Sequence, residues 1–114
     1  MPCYKMVVMS TPQAGREQEY NDWYQNVHLG ELVSLQGFRS AQRFRMTRAL
    51  GVGEAYPYLA IYEIETDDID AVVNELVTTA QNNGLTMSEA IDTSKTYAVI
   101  YEPCGTPVTQ VSLN

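Results

Sequence analysis

One histidine, His28, occurs in the 114 residues, and it lies five positions after the only tryptophan, Trp23. Imidazole titrates near neutral pH, so His28 is the first candidate for a general acid/base. The chain also holds eight tyrosines. A phenol can stabilise a developing oxyanion by donating a hydrogen bond, and Tyr24 and Tyr62 are the candidates to pair with His28 in orienting a substrate. Trp23, Phe44 and Tyr58 supply aromatic walls, and aromatic walls with a few polar groups describe a small-molecule pocket. Arg39, Arg43 and Arg45 fall on one face of an alternating segment, and Arg43 is placed to meet a carboxylate or phenolate. Each residue has a plainer reading. His28 can cap a helix end by bonding loop carbonyls. A strand tyrosine is often a packing residue. A row of arginines on an edge strand can be a solvated face that blocks aggregation, or can pair with acids across a dimer.

Other chemistries find little support. His28 and Glu31 form an HxxE pair, but no second histidine or carboxylate cluster completes a metal site, so neither metal nor cofactor is expected. Gly51-Val52-Gly53 lies in a hairpin with no following helix, which argues against a phosphate loop. Cys3 and Cys104 stand near opposite ends without CxxC spacing and read as inert packing residues. The formal net charge is −7, which disfavours nucleic acid and anionic membranes as partners. The first apolar run is too short for a secretory segment, and no run approaches a membrane span, so the cytoplasm is the expected compartment.

The elements that must position these residues follow from periodicity. Tyr4 to Ser10 is short, apolar and rich in Val and Met, which favours a strand. Residues 10 to 15 break the pattern. Tyr20, Trp23, Tyr24 and Val27 form a helical stripe within a helix from Arg16 to about Val27. His28 then sits at the C-terminal end of that helix, whose carbonyls would raise its pKa. Gly30 is expected to break the helix before a second short piece, Glu31 to Leu35, which Gly37 ends. Phe38 to Met46 alternates strictly: Phe38 and Phe44 share one face, and Arg39, Arg43 and Arg45 the other. Arg48 to Glu54 is a hairpin loop, and Tyr56 to Ile64 is a strand apolar on both faces. Thr66 or Asp67 caps a helix carrying the stripe Ile69, Val72, Val73, Leu76 and Val77, and Asn82-Asn83-Gly84 stops it. Lys95 to Tyr101 is the last strand. The tail from Pro103 is either frayed or packed on a partner subunit.

Strand, helix, strand, strand, helix, strand is the α+β ferredoxin-like order, βαββαβ with a four-stranded antiparallel sheet, within one domain over residues 1–114 (core about 3–102). A sheet apolar on both faces needs a further layer, and a second copy of the chain is the simplest source. The residues also resemble a family. Tyr20, Asn21, Trp23 and Tyr24, then His28 and Leu29, then Gly37, Phe38, Arg43 and Phe44, look like the dimeric α/β-barrel superfamily, most of all its EthD-like members and related small proteins. The match spans about residues 3 to 102. Where relatives often carry Pro after His-Leu, this chain has Gly30, which loosens the turn. The resemblance implies a homodimer in which two sheets pack into a barrel. It also implies a range of activities: cofactor-free cyclases, monooxygenases, haem degraders, dehydratases and proteins without activity.

The function expected is therefore a cofactor-independent lyase, isomerase or cyclase acting on a small hydrophobic carbonyl or aromatic compound. The alternative is a non-catalytic dimeric binding or stress-associated protein. A cofactor-free monooxygenase or haem degrader is less favoured, because Asn21 and Trp23, two apart on one helix, point about 200° from each other.

Overall fold

The computed structural model describes residues 1–51, 53 and 55–111. Val52 and Glu54 of the expected hairpin loop, and the tail residues from Ser112 on, lie outside the described residues. The elements are β1 (Cys3–Ser10), α1 (Glu17–Trp23), a π-helical turn (Tyr24–His28), α2 (Leu29–Val33), β2 (Phe38–Arg45), β3 (Tyr58–Glu65), α3 (Ile69–Gln81), a short 3-10 turn (Thr93–Lys95) and β4 (Tyr97–Tyr101). The sheet order is β2-β3-β1-β4, with every neighbouring pair antiparallel. Each βαβ half leaves one strand's width between its two strands, and a strand of the other half fills it. The fold is α+β and ferredoxin-like, as expected from the order of elements.

Directly opposed residues share a face, so register assigns the layers. Tyr4, Met6, Val8 and Ser10 of β1 oppose Ile64, Tyr62, Ala60 and Tyr58 of β3. This face meets the helices, and most of it is buried with Tyr20, Trp23, Tyr24, Leu29, Leu32 and Val72. The other face carries Val7, Met9, Leu59, Ile61 and Val99, all half-buried, with Phe44, Tyr97 and Tyr101 more exposed.

Strand β2 departs from strict alternation. Phe38 opposes Ile64 but Ser40 opposes Glu63, so Arg39 is an extra residue in a bulge. A bulge resets which side chains share a face. Phe38 therefore joins Ala41, Arg43 and Arg45 on the helix side, while Phe44 opposes Leu59 on the other. The expected pairing of Phe38 with Phe44, and of Arg39 with Arg43 and Arg45, is corrected by this one residue. Arg39 instead lies 3.5 Å from Glu65.

The first helix also departs from expectation. Gly30 does not break it: α1, the π turn and α2 run on without interruption from Glu17 to Val33. A π turn holds one residue more than an α turn, so it shifts the buried stripe by one position. Val27, expected inside, is 36% exposed, and His28 turns inward in its place. Gly30 has ordinary helical backbone, and nothing lies within 4 Å of where its Cβ would stand. Gly30→Ala should therefore stabilise the protein by roughly 0.5–1 kcal/mol, read from urea unfolding midpoints.

The remaining boundaries have local causes. Asp68, rather than Thr66 or Asp67, caps α3: its Oδ1 accepts from Ala71 N at 3.1 Å, while Thr66 Oγ1 accepts from Asp68 N at 3.0 Å. Val77, expected on the α3 stripe, is 45% exposed. Asp92 accepts from both the backbone N and the hydroxyl of Ser94, which holds Thr93–Lys95 in a turn and delays β4 to Tyr97. Cys3 and Cys104 are free and exposed rather than packed inside, and both line one cleft of about 420 Å³ beside β1 and the tail.

Candidate functional site

The π turn builds an aromatic cluster. Trp23 and Tyr24 end the α-helical register, and His28 closes the turn one step below them. The imidazole stacks on the Trp23 indole at 4.5 Å and 28°, and meets the Tyr24 ring edge-on at 5.0 Å and 87°. Tyr20 packs at 5.5 Å from Tyr24 and 5.2 Å from Tyr58. Below, on the sheet, Tyr62 is fully buried and meets Phe38 edge-on at 5.9 Å.

Three polar atoms in this layer are buried without a hydrogen-bond partner among the described residues: Tyr24 Oη, His28 Nδ1 and Tyr62 Oη. Buried polar atoms are nearly always paired, so three together single out this place. Burial lowers the His28 pKa from 6.5 to about 4, against a smaller opposing pull from Glu31. The expected rise from helix-end carbonyls is thus overturned, because His28 is inside a continuous helix and not at its end. Burial pushes Tyr24 up to about 12, opposed by Tyr62 and Arg43. Burial also raises Tyr62, and Tyr24 raises it further. The two phenols are near enough to influence each other's titration, yet neither forms a well-aligned hydrogen bond. At neutral pH all three groups are uncharged.

Tyr20 makes the contrast. Its hydroxyl is hydrogen-bonded to Ser10 in the core. Tyr20→Phe should cost about 1–2 kcal/mol by orphaning Ser10, whereas Tyr62→Phe should change stability by less than about 0.5 kcal/mol. Parallel thermal melts of the two variants check this.

A loop closes over one side of the cluster. Trp23 Nε1 donates to Thr86 O at 2.7 Å, and Glu31 accepts from Thr86 N at 2.8 Å and from its hydroxyl at 2.9 Å. Glu31 is therefore a latch for residues after α3. No group of three or more His, Cys, Asp or Glu that could hold a metal ion occurs among the described residues.

Arg43 reaches in from β2. Its guanidinium carbon lies 4.9 Å from the Tyr24 ring centre, 5.3 Å from Tyr58 and 5.5 Å from Tyr20. Arg43 Nη2 donates to Asn21 Oδ1 at 2.6 Å, and Asn21 Nδ2 donates to Tyr58 Oη at 3.2 Å. Of the residues singled out in the sequence, His28, Tyr24 and Trp23 are in contact, Tyr62 lies beneath Tyr24, and Tyr58 and Arg43 stand on the far side of Tyr24. Phe44 does not pack in the aromatic layer: the bulge turns it to the opposite face, 42% exposed, where it lines a cleft of about 450 Å³ with Met9, Leu59 and Tyr97, and at the β2 edge it also borders a smaller cleft beside Arg43. Tyr20 was visible in the helical stripe but carried no mark of a site. Ser10, Thr86 and the clamping role of Asn21 had no signal in the sequence, because each depends on contacts between distant segments.

Comparison with solved structures agrees with this architecture. The chain is similar to an ethyl tert-butyl ether D (EthD) family protein from Bacillus halodurans C-125, with a TM-score of 0.63, 13% identity, and 90% of this chain and 99% of that one covered. It is similar to a "putative monooxygenase" from Shewanella loihica PV-4, with a TM-score of 0.62, 12% identity, and 92% and 97% covered. It is also similar to At3g17210 from Arabidopsis thaliana, with a TM-score of 0.65, 14% identity, and 92% and 99% covered. At such identities the likeness shows an EthD-like fold. No family model matches the sequence, and no curated protein matches it. Among the described residues, no helix is long and apolar enough to cross a membrane.

Proposed function

We propose that the chain is a cofactor-independent lyase-, isomerase- or cyclase-type enzyme acting on a small hydrophobic carbonyl or aromatic compound. The observation that carries this reading is the trio of unpaired buried polar atoms on Tyr24, His28 and Tyr62. Phenols with raised pKa values stay protonated and donate to a carbonyl oxygen. Neutral His28 accepts a proton from the carbon beside that carbonyl, leaving an enolate held by the phenols. The imidazolium so formed rests on the Trp23 face, where the ring quadrupole favours a cation, and near the Glu31 carboxylate. The same proton then returns to the substrate at another atom, or goes to a leaving group. Trp23 borders this trio at the imidazole, and Arg43 and Tyr58 border it beyond Tyr24 and Tyr20. The test is a screen of β-keto and aromatic carbonyl compounds, with His28→Ala and Tyr62→Phe as partners. Turnover should fall at least a hundredfold in His28→Ala, and equal turnover in wild type and His28→Ala removes the mechanism.

A non-catalytic binding role, stress-associated or otherwise, is favoured by one observation, the close aromatic packing on both sides of His28. Saturable binding with no turnover of any compound screened would support it. The oxygenase and haem-degrading readings are weaker, because both ends of the Asn21 amide are engaged and the Trp23 N–H is bonded to Thr86.

We also propose that the domain is a cytoplasmic homodimer. The face of the sheet away from the helices is lined by Val7, Met9, Phe44, Leu59, Ile61 and Val99. A contiguous apolar sheet face of this kind favours a second layer, and twofold packing on itself supplies one. Sedimentation should give a dimer at micromolar concentration and a monomer for Ile61→Asp. A wild-type monomer under those conditions contradicts the proposal.

A further inference from the structure

Arg43 stands without a carboxylate in a chain that has fourteen of them and only seven Lys and Arg. The ion pairs formed among the described residues are Lys5–Glu63, Arg16–Glu19, Arg16–Glu89 and Arg39–Glu65, and none uses Arg43 or Arg45. A half-buried guanidinium is ordinarily paired with an anion. Here three tyrosine rings and an amide hold it instead.

Hydrogen-bond accounting shows what this arrangement leaves over. A guanidinium can only donate, so the Asn21 oxygen must face Arg43 and its NH₂ must face Tyr58. Tyr58 Oη therefore accepts from Asn21, which leaves the Tyr58 proton to donate elsewhere. Arg43 donates to Asn21 and is also within hydrogen-bonding reach of the Tyr20 hydroxyl, and its five N–H groups leave further donors free. Both groups open on a shallow cleft of about 310 Å³ lined by Asn21, Gln25, Arg43, Phe44, Arg45 and Tyr58. No acidic residue lines it. Arg43, Arg45, Tyr58 and Gln25 all line it, and the Asn21 bond and the tyrosine rings hold the Arg43 guanidinium in position before any ligand arrives.

We infer that this cleft is a binding site for a small carboxylate, with Arg43 as the planar fork and Tyr58 as the second donor. A fork of parallel N–H groups matches the two oxygens of a carboxylate. The inference adds to the proposed function the class of charged group a ligand would bear. It rests on the Asn21–Arg43–Tyr58 geometry, so a failed reaction screen leaves it standing.

The experiment is a titration of the full chain with sodium benzoate and sodium acetate, and separately with inorganic phosphate, at constant ionic strength. Binding is followed by isothermal titration calorimetry in every variant, with the Arg43 side-chain N–H resonance as a second readout in the proteins that keep it. Saturable binding of the carboxylates is expected, weakened at least tenfold in Arg43→Lys, which keeps the charge and loses the fork. Arg45→Gln, at an exposed position, should weaken it about threefold, and Arg39→Gln, outside the cleft, should not change it. The titration reads binding alone, so its outcome is independent of whether any compound in the reaction screen is turned over. Equal binding in wild type and Arg43→Lys overturns the inference. So does phosphate binding tenfold tighter than either carboxylate, which would mark a site for a tetrahedral anion.

Discussion

His28 should titrate near pH 4 in the folded protein, and stability should fall as the pH drops from about 6.5 towards 4. The folded value is lowered from 6.5 to about 4 because burial penalises the imidazolium. Between those two values the unfolded chain binds a proton that the folded chain does not, so protonation favours unfolding there. Above 6.5 both states are neutral and this contribution is fully present. Below about 4 both are charged and no more is lost. The interval corresponds to about 3 kcal/mol at most. Since the chain has a single histidine, one imidazole resonance followed by NMR gives the folded value without an assignment problem. Urea unfolding at several pH values gives the energy. His28→Phe should flatten the profile across this window and, by removing the unpaired Nδ1, leave stability at pH 7 equal or higher. Glu19 and Asp92, whose carboxyls are held below their usual values by Arg16 and by Ser94, contribute in both proteins and drop out of the comparison. A folded midpoint near 6.5 would show that the imidazole is solvated, and the account of the aromatic layer would fail with it.

The second large effect is expected at Gly37, on the turn into β2. Its φ is +90°, a region L-residues rarely occupy, and an added Cβ would stand 2.8 Å from Val72 Cγ2 in α3. Gly37 O also accepts from Glu65 N at 2.9 Å, which ties the turn to the end of β3. Gly37→Ala therefore meets backbone strain and overpacking together, at about 2–4 kcal/mol. Val72→Ala in the same chain should recover part of the loss by making room while the backbone strain remains. Non-additivity in this double-mutant cycle, measured by chemical unfolding, separates the two causes. If Gly37→Ala melts within 2 °C of wild type, neither operates.

Much of the fold was legible in residue types. Val and Met between Tyr4 and Ser10, and the doubly apolar run around Tyr58 to Ile64, specify strands through period and β-branching. The Asn82–Gly84 stop ends α3 through local chemistry, while its cap lies at Asp68, just past the Thr66 or Asp67 expected. The missed features are single-residue insertions. Arg39 in the β2 bulge and the extra residue of the π turn each shift a periodic pattern by one. Neither carries a breaker: there is no Gly or Pro within Tyr24–His28, and Gly30 beside it is simply helical. Tertiary packing decides both, since Phe38 and His28 each find a buried place only after the shift. The aromatic cluster around His28 was legible in residue type, but the state of its groups was not. Charge and pairing depend on burial, which a helix-end reading of His28 inverted. Phe44 was assigned to the wrong side of the sheet by the same miscount that placed Arg39 beside Arg43.

The extra residue of the π turn is a local surplus that the helix can lose without letting go of the sheet. Loss of one residue from Gln25 to Val27 would let the chain hydrogen-bond as plain α-helix from end to end. The turn contributed by the lost residue and the slack of the π turn then offset each other. Tyr20 would stand eight positions from Leu29 and eleven from Leu32, spacings that a plain α-helix keeps on one stripe, so all three buried side chains stay on the sheet. The two halves of the helix are therefore in phase with each other, and the insertion is spent locally, beside the aromatic cluster.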